Sequence, residues 1–194
     1  MNHALIPAAG RSSRLGRSKA LLPFGGKTVL EALLDTLDRG GVQRLRVVAA
    51  AGDAPLAALC KSKGIGLELN RRPERGMLSS IRVGVEALAP DLGDDDVVLI
   101  CPVDYPSIRW RTISSILAAV PAAASAAVVT FDGRRAHPLA LAKSAMADLE
   151  RLDLEVGLRQ IYERREVLEV AVDDPGTRAD LDTWADYAAL SRPR

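Results

Sequence analysis

Aromatic residues are scarce in this chain: Phe, Trp and Tyr make up 4% of 194 residues. Binding single-stranded nucleic acid by base stacking needs a series of such rings, so that mode is set aside. Charge of one sign is missing too. The formal net charge is +1, which supplies no basic field for a nucleic-acid backbone. There are two cysteines, Cys60 and Cys101, far apart and without metal-type spacing. That rules against a disulfide framework or a zinc site, and the expectation is buried thiols in a reducing compartment. No apolar run reaches the roughly 18 residues needed to span a bilayer. The nearest, over 120–129, is interrupted by Pro121 and Ser125. The apolar run at the N-terminus is too short for a secretory signal. A cytoplasmic protein with no membrane partner is expected.

What is present is alternation. Near-continuous apolar runs predict strands at 3–7, 44–50, 66–70, 96–101, 125–131, 138–142 and 167–172. Between them, amphipathic stretches predict helices from Thr28, and at 54–63, 79–89, 109–119, 143–150, 156–164 and 179–190. The first helix is the clearest. Thr28-Val29-Leu30-Glu31 reads as a capping box, Leu30, Leu33, Leu34 and Leu37 recur at helical spacing, and Gly40-Gly41 ends the run. Strands that alternate with helices predict an α/β fold, a largely parallel sheet covered on both faces. The length suits one domain spanning 1–194.

In such a sheet, ligands collect at the carboxyl ends of the strands. Four segments fall there: 8–19, 71–80, 102–108 and 132–138. The first is the richest. Ala8-Ala9-Gly10-Arg11-Ser12-Ser13-Arg14-Leu15-Gly16-Arg17-Ser18-Lys19 combines glycines, serines and four cations directly after a short apolar run. Glycine lets backbone N–H groups approach a phosphate, and the cations neutralise it. The loop is not a Walker A sequence, since the Gly-Lys-Ser/Thr ending is absent. Nor is it the dinucleotide fingerprint, because no third glycine lies between Gly10 and Gly16.

The other segments are open to two readings each. Asp104, just past an apolar strand, suits either a Mg²⁺ ligand or a turn beside Pro106. Ser79 or Ser80 suits a helix cap, a nucleotide contact or both. His137 suits a structural or a catalytic role. Asp173, Asp174, Asp180, Asp182 and Asp186 suit a helix start or a second metal ligand.

The loop at 8–22 closely resembles the signature of the MobA-like nucleotidyltransferases, A-A-G-x-S-x-R-[ML]-G-x-x-K-x-L-L, with the molybdenum cofactor cytidylyltransferases nearest. The resemblance continues in order along the chain. Gly76-Met77-Leu78-Ser79-Ser80-Ile81 resembles the family's G-M-x-x-S-[LI], Val103-Asp104-Tyr105-Pro106 its G-D-x-P, His137-Pro138 its G-H-P, and Asp180-Leu181-Asp182-Thr183 its D-[IL]-D-T. Val103 and Ala136 stand where the family has glycine, and Trp184 where it has proline. Leu154-Glu155-Val156-Gly157 echoes its G-D-x-G segment loosely.

The resemblance implies a three-layer α/β/α, Rossmann-like nucleotidyltransferase fold with a mostly parallel mixed sheet. It implies that a phosphate oxygen of an acceptor attacks the α-phosphate of an NTP and pyrophosphate leaves. Ala8, Ala9 and Gly10 would hold base and ribose, with Ser80 near the nucleotide. Arg14 and Lys19 would neutralise the triphosphate. Asp104 would hold Mg²⁺, with Asp182 as a second ligand, and His137 would lie on the acceptor side. Ala9 in place of glycine is associated in this family with CTP over GTP. The expected partners are CTP, or another NTP, and a phosphorylated small molecule, with the molybdenum cofactor first. The expected assembly is a monomer or small homo-oligomer. Transfer to a sugar phosphate or phosphoalcohol from another NTP, and a nucleotide sensor without turnover, remain the alternatives.

Overall fold

A computed structural model describes residues 1–10, 15–123 and 125–191, the side chains of 121–123 excepted. Arg14, expected to neutralise a triphosphate, lies outside the described residues.

The chain begins with β1 (Asn2–Pro7), followed by a small hairpin of β2 (Pro23–Phe24) and β3 (Lys27–Thr28). Then come α1 (Val29–Arg39), β4 (Arg44–Ala50), α2 (Ala54–Ser62), β5 (Gly66–Asn70), α3 (Met77–Leu88) and β6 (Val97–Ile100). The remainder is α4 (Trp110–Ala123), β7 (Ala126–Phe131), β8 (Arg134–Ala142), α5 (Lys143–Leu149), α6 (Ile161–Arg164), β9 (Leu168–Ala171) and α7 (Trp184–Leu190). The large sheet has the order β5-β4-β1-β6-β8-β7-β9. Its pairs β5/β4, β4/β1, β1/β6 and β7/β9 are parallel, and only β8 runs against its neighbours. The mostly parallel mixed sheet is therefore as expected.

Successive strand residues point to opposite faces. Ala4 and Ile6, Val47 and Ala49, and Val97 and Leu99 face a core built with α1, α2 and α4. Leu5, Val48, Val98 and Ile100 face the other core, against α3, α5 and α6. This two-sided burial is why the strands read as continuous apolar runs. The Thr28 box forms: Thr28 Oγ1 accepts from the Glu31 amide at 3.2 Å, and the Thr28 amide donates to Glu31 Oε2 at 2.9 Å. Leu30, Leu33, Leu34 and Leu37 are all buried.

Several boundaries differ from expectation. Asp132 and Gly133 take positive φ (50° and 68°) and close a β7–β8 hairpin, so 132–138 is a turn plus half a strand rather than a loop. Met77, not Ser79, opens α3, because Gly76 at φ 85° redirects the chain there. The expected helix at 156–164 is broken by Gly157 at φ 82° into a 3₁₀ turn and the short α6. The expected helix at 179–190 begins only at Trp184, where Thr183 and Asp186 form a second capping box. Among the described residues, no helix is long and apolar enough to cross a membrane.

Candidate functional site

The carboxyl ends of β1, β5 and β6 all open on one edge of the sheet. The Ala8 amide donates to Val48 O at 2.8 Å, carrying the β1 ladder one residue past the strand before the chain turns away. The Val103 amide donates to Pro7 O at 3.2 Å, so the chain leaving β6 stays against β1. Between these exits and the start of α3 lies a cavity of about 370 Å³. Its walls include Ala8, Ala9, Gly10, Lys19, Ser80 and Asp104. Six residues proposed from three separate sequence segments thus meet in one place. The volume falls in the range of small-molecule sites, roughly 300–1,000 Å³. The N-terminus of α3 (Gly76, Met77) also faces it, and unpaired helix amides with the helix dipole favour an anion there.

Ser80 is held by its neighbours. Buried Asn70 donates through Nδ2 to Ser79 Oγ at 2.8 Å and to Ser80 Oγ at 3.0 Å. The Ser79 hydroxyl donates back to Gly76 O at 2.7 Å. Neither serine caps α3; they tie its first turn to the end of β5.

The charged centre is built across the chain. Lys19 Nζ donates to Asp182 Oδ1 at 2.5 Å and lies 3.8 Å from Asp104 Oδ2. Asp182 reaches this point because the Leu181 amide donates to Asp104 O at 2.8 Å, latching 180–182 to the turn after β6. Gly176 permits the approach, since a Cβ there would lie 2.2 Å from Ser107 O. Burial pushes the Asp104 carboxyl above its ordinary range; Lys19 opposes this, and Asp182 and Asp180 add to it. Asp104 Oδ1 is buried with no hydrogen-bond partner among the described residues. A bare carboxylate oxygen left in this way costs about 1–3 kcal/mol unless a cation or donor meets it.

The other aspartates separate cleanly. Asp174 is structural: its carboxylate accepts from the Arg109 amide at 2.8 Å, Thr112 Oγ1 at 2.6 Å and the Gly176 amide at 3.0 Å. Asp186 belongs to the α7 cap. His137 does not line the cavity. Its ring packs on Tyr105 with centroids 4.7 Å apart, and burial lowers its pKa to about 4. Its Nδ1 is buried without a partner among the described residues. Tyr105, which sequence reasoning passed over, thus joins the Asp104 turn to the His137 strand. The signal was its place inside the quoted Val103–Pro106 segment. Cys60 and Cys101 are buried, and burial raises both thiols, so neither serves as a nucleophile.

A mostly parallel sheet whose strand ends enclose a phosphate-suited cavity beside a lysine and two carboxylates defines an α/β nucleotidyltransferase. Comparison with known proteins makes this specific: the MobA-like NTP transferase domain matches residues 4–170, and the chain belongs to that family. It is 28% identical over 189 residues to the nicotine blue oxidoreductase of Paenarthrobacter nicotinovorans, covering 92% of this chain and 91% of that one. It is 26% identical over 197 residues to a probable molybdenum cofactor guanylyltransferase of Mycobacterium avium (strain 104), covering 98% and 95%. The solved structure of Rv0371c from Mycobacterium tuberculosis H37Rv superposes with a TM-score of 0.86 at 28% identity, covering 99% of this chain and 98% of that one.

Proposed function

We propose that this nucleotidyltransferase moves CMP from CTP to a phosphorylated acceptor, with the molybdenum cofactor as the first candidate acceptor, and that residues 1–194 work as one domain. The observation that carries the reading is the meeting of Ala9, Lys19, Ser80 and Asp104 on one cavity, with Asp182 on Lys19. In the reaction an acceptor phosphate oxygen bonds to the α-phosphorus while the bond to the β-phosphate bridging oxygen breaks, and pyrophosphate carries the electron pair away. Ala8, Ala9 and Gly10 bound the base and ribose. Lys19, and Arg14 from the same loop, neutralise the triphosphate. Transfer of this kind is governed by positioning and charge neutralisation, with no covalent step on the protein.

Mg²⁺ fits the donor set. It takes hard oxygen ligands, typically one or two carboxylates plus substrate phosphates. Asp104, with its unpartnered buried Oδ1, and Asp182 would hold it. Among the described residues no three acidic, His or Cys side chains gather round one point, so phosphate oxygens would complete the set. When bound, Mg²⁺ would neutralise charge on the phosphates and favour the leaving pyrophosphate.

Base choice rests on Ala9, a buried methyl on the cavity wall. Ala9→Gly should move the GTP-to-CTP ratio of kcat/KM toward GTP by about tenfold, the scale of one added or lost methyl in a pocket. The decisive experiment is pyrophosphate release with CTP, GTP, ATP and UTP against molybdopterin, sugar phosphates and phosphoalcohols. Release with CTP and molybdopterin is expected. Preference for another NTP or acceptor would replace the donor or acceptor assigned here. CTP·Mg²⁺ binding without release on any acceptor would make the chain a sensor. A parallel assay of NADH oxidation tests whether the oxidoreductase name of one relative extends to this chain; no oxidation is expected.

A further inference from the structure

The turn that walls the nucleotide cavity has a second face. There Arg71, Arg72, Arg75 and Arg82 stand around a separate, open cavity of about 340 Å³. Four guanidinium groups around one small cavity are an unusual investment in a chain of net charge +1. Arg82 is committed to the frame. Its Nε donates to Leu149 O at 2.9 Å and its Nη2 to Glu150 O at 2.9 Å and to Leu152 O, fixing the chain after α5 as the far wall. Arg71, Arg72 and Arg75 are exposed, and among the described residues their side chains make no ion pair or hydrogen bond. Two neighbouring carboxylates are directed elsewhere: Glu68 pairs with Arg46, and Glu74 lines the nucleotide cavity.

The floor is apolar, formed by Leu69, Val83 and Leu154, and Leu69 stays half exposed on the outermost strand. Like charges held together repel, so three unpaired arginines on one rim await an anion. An apolar floor beneath them selects a ligand with a hydrophobic body as well as a charged group.

We propose that this arginine-rimmed cavity is a second binding site, for a phosphorylated small molecule carrying an apolar body. Asn70, buried, lines this cavity and holds both Ser79 on this side and Ser80 on the nucleotide side. An occupant would therefore brace the turn whose other face bounds the nucleotide cavity.

The test uses 1-anilinonaphthalene-8-sulfonate, which pairs an anionic group with an aromatic body and brightens in apolar sites. Inorganic phosphate serves as competitor, with chloride at matched ionic strength as control. The double variant Arg71→Gln/Arg75→Gln alters exposed side chains, and thermal unfolding verifies its fold. The expected result is probe binding weakened about tenfold in the double variant, the loss typical of hydrogen bonds to a charged group. Phosphate should displace the probe from the natural chain where chloride does not, and Lys19→Gln should leave binding unchanged. Equal binding in the double variant would overturn the proposal. So would displacement by chloride as effective as phosphate, or loss of binding in Lys19→Gln alone. Because no nucleotide or turnover enters the measurement, its outcome is independent of the CTP assignment.

Discussion

The proposed donor wall and the proposed acceptor side come from differently built parts of one sheet. On the donor wall, β1, β5 and β6 belong to a parallel block, so their carboxyl ends release three loops onto the same edge. Those loops meet directly, and Ala9, Ser80 and Asp104 share one cavity wall. On the proposed acceptor side, β8 runs against β6 and β7, and His137 enters from within a strand whose register shifts opposite Val128–Thr130. Its ring packs on Tyr105 of the Asp104 turn. Parallel connectivity concentrates a site from local motifs, whereas the antiparallel return depends on side-chain packing to complete it.

If the donor wall carries the chemistry, its charged pair should dominate every kinetic measurement. Asp104→Asn should lower kcat by about three decades, near 4 kcal/mol of transition-state stabilisation, and flatten the Mg²⁺ titration. Because burial raises the carboxyl of Asp104 against its ordinary range, the charged form strains the fold at neutral pH. The same variant should therefore unfold at a higher temperature while turning over more slowly. An unchanged Mg²⁺ response would return Asp104 to a turn residue. Lys19→Ala comes next, with a loss of about two decades in kcat. Circular dichroism should show its fold intact, and unaltered kinetics would remove Lys19 from the mechanism.

Asp174 provides the contrast within the acidic segment. Asp174→Ala leaves buried donors from Arg109, Thr112 and Gly176 without their acceptor, so it should cost about 2–3 kcal/mol of folding stability. Denaturant titration measures this; a kinetic defect with no loss of stability would contradict the structural role. The smallest effect belongs to His137. Its folded pKa of about 4 lies below the ordinary 6.5, so the unfolded chain takes up the proton first as pH falls. Its stability contribution is complete above pH 6.5 and drains away as the pH drops toward 4. The part exposed to solvent limits this to about 1–2 kcal/mol. His137→Asn should remove that slope from Tm against pH, and a slope kept in the variant would assign it to other groups.

Much of the donor wall was legible because each of its motifs is contiguous. Ala8–Gly10 follows β1, Ser80 lies in the first turn of α3, and Asp104 follows β6. Position after a strand is a local property, and the rule that ligands gather at carboxyl ends turns it into a site. The acidic segment was less legible. Asp174, Asp182 and Asp186 look alike in the chain, yet one accepts from the Arg109 amide and the Thr112 hydroxyl, one pairs with Lys19 and one caps α7. Thr183-x-x-Asp186 carried a capping-box pattern, and it is the pattern that moves the helix start to Trp184.

By itself, the order of residues determined the strands, most of the helices and the glycine-bearing loop, because hydrophobic period and capping act over a few positions. Two-sided burial of the strands followed from the same period, which is why the α/β class was readable. Tertiary structure alone decided which aspartate meets Lys19, that Tyr105 seats His137, and that one turn walls two cavities. Those outcomes depend on contacts across the chain, such as the 163 positions between Lys19 and Asp182. No local preference encodes a contact at that separation; it exists only once the sheet has brought the two ends of the chain to one edge.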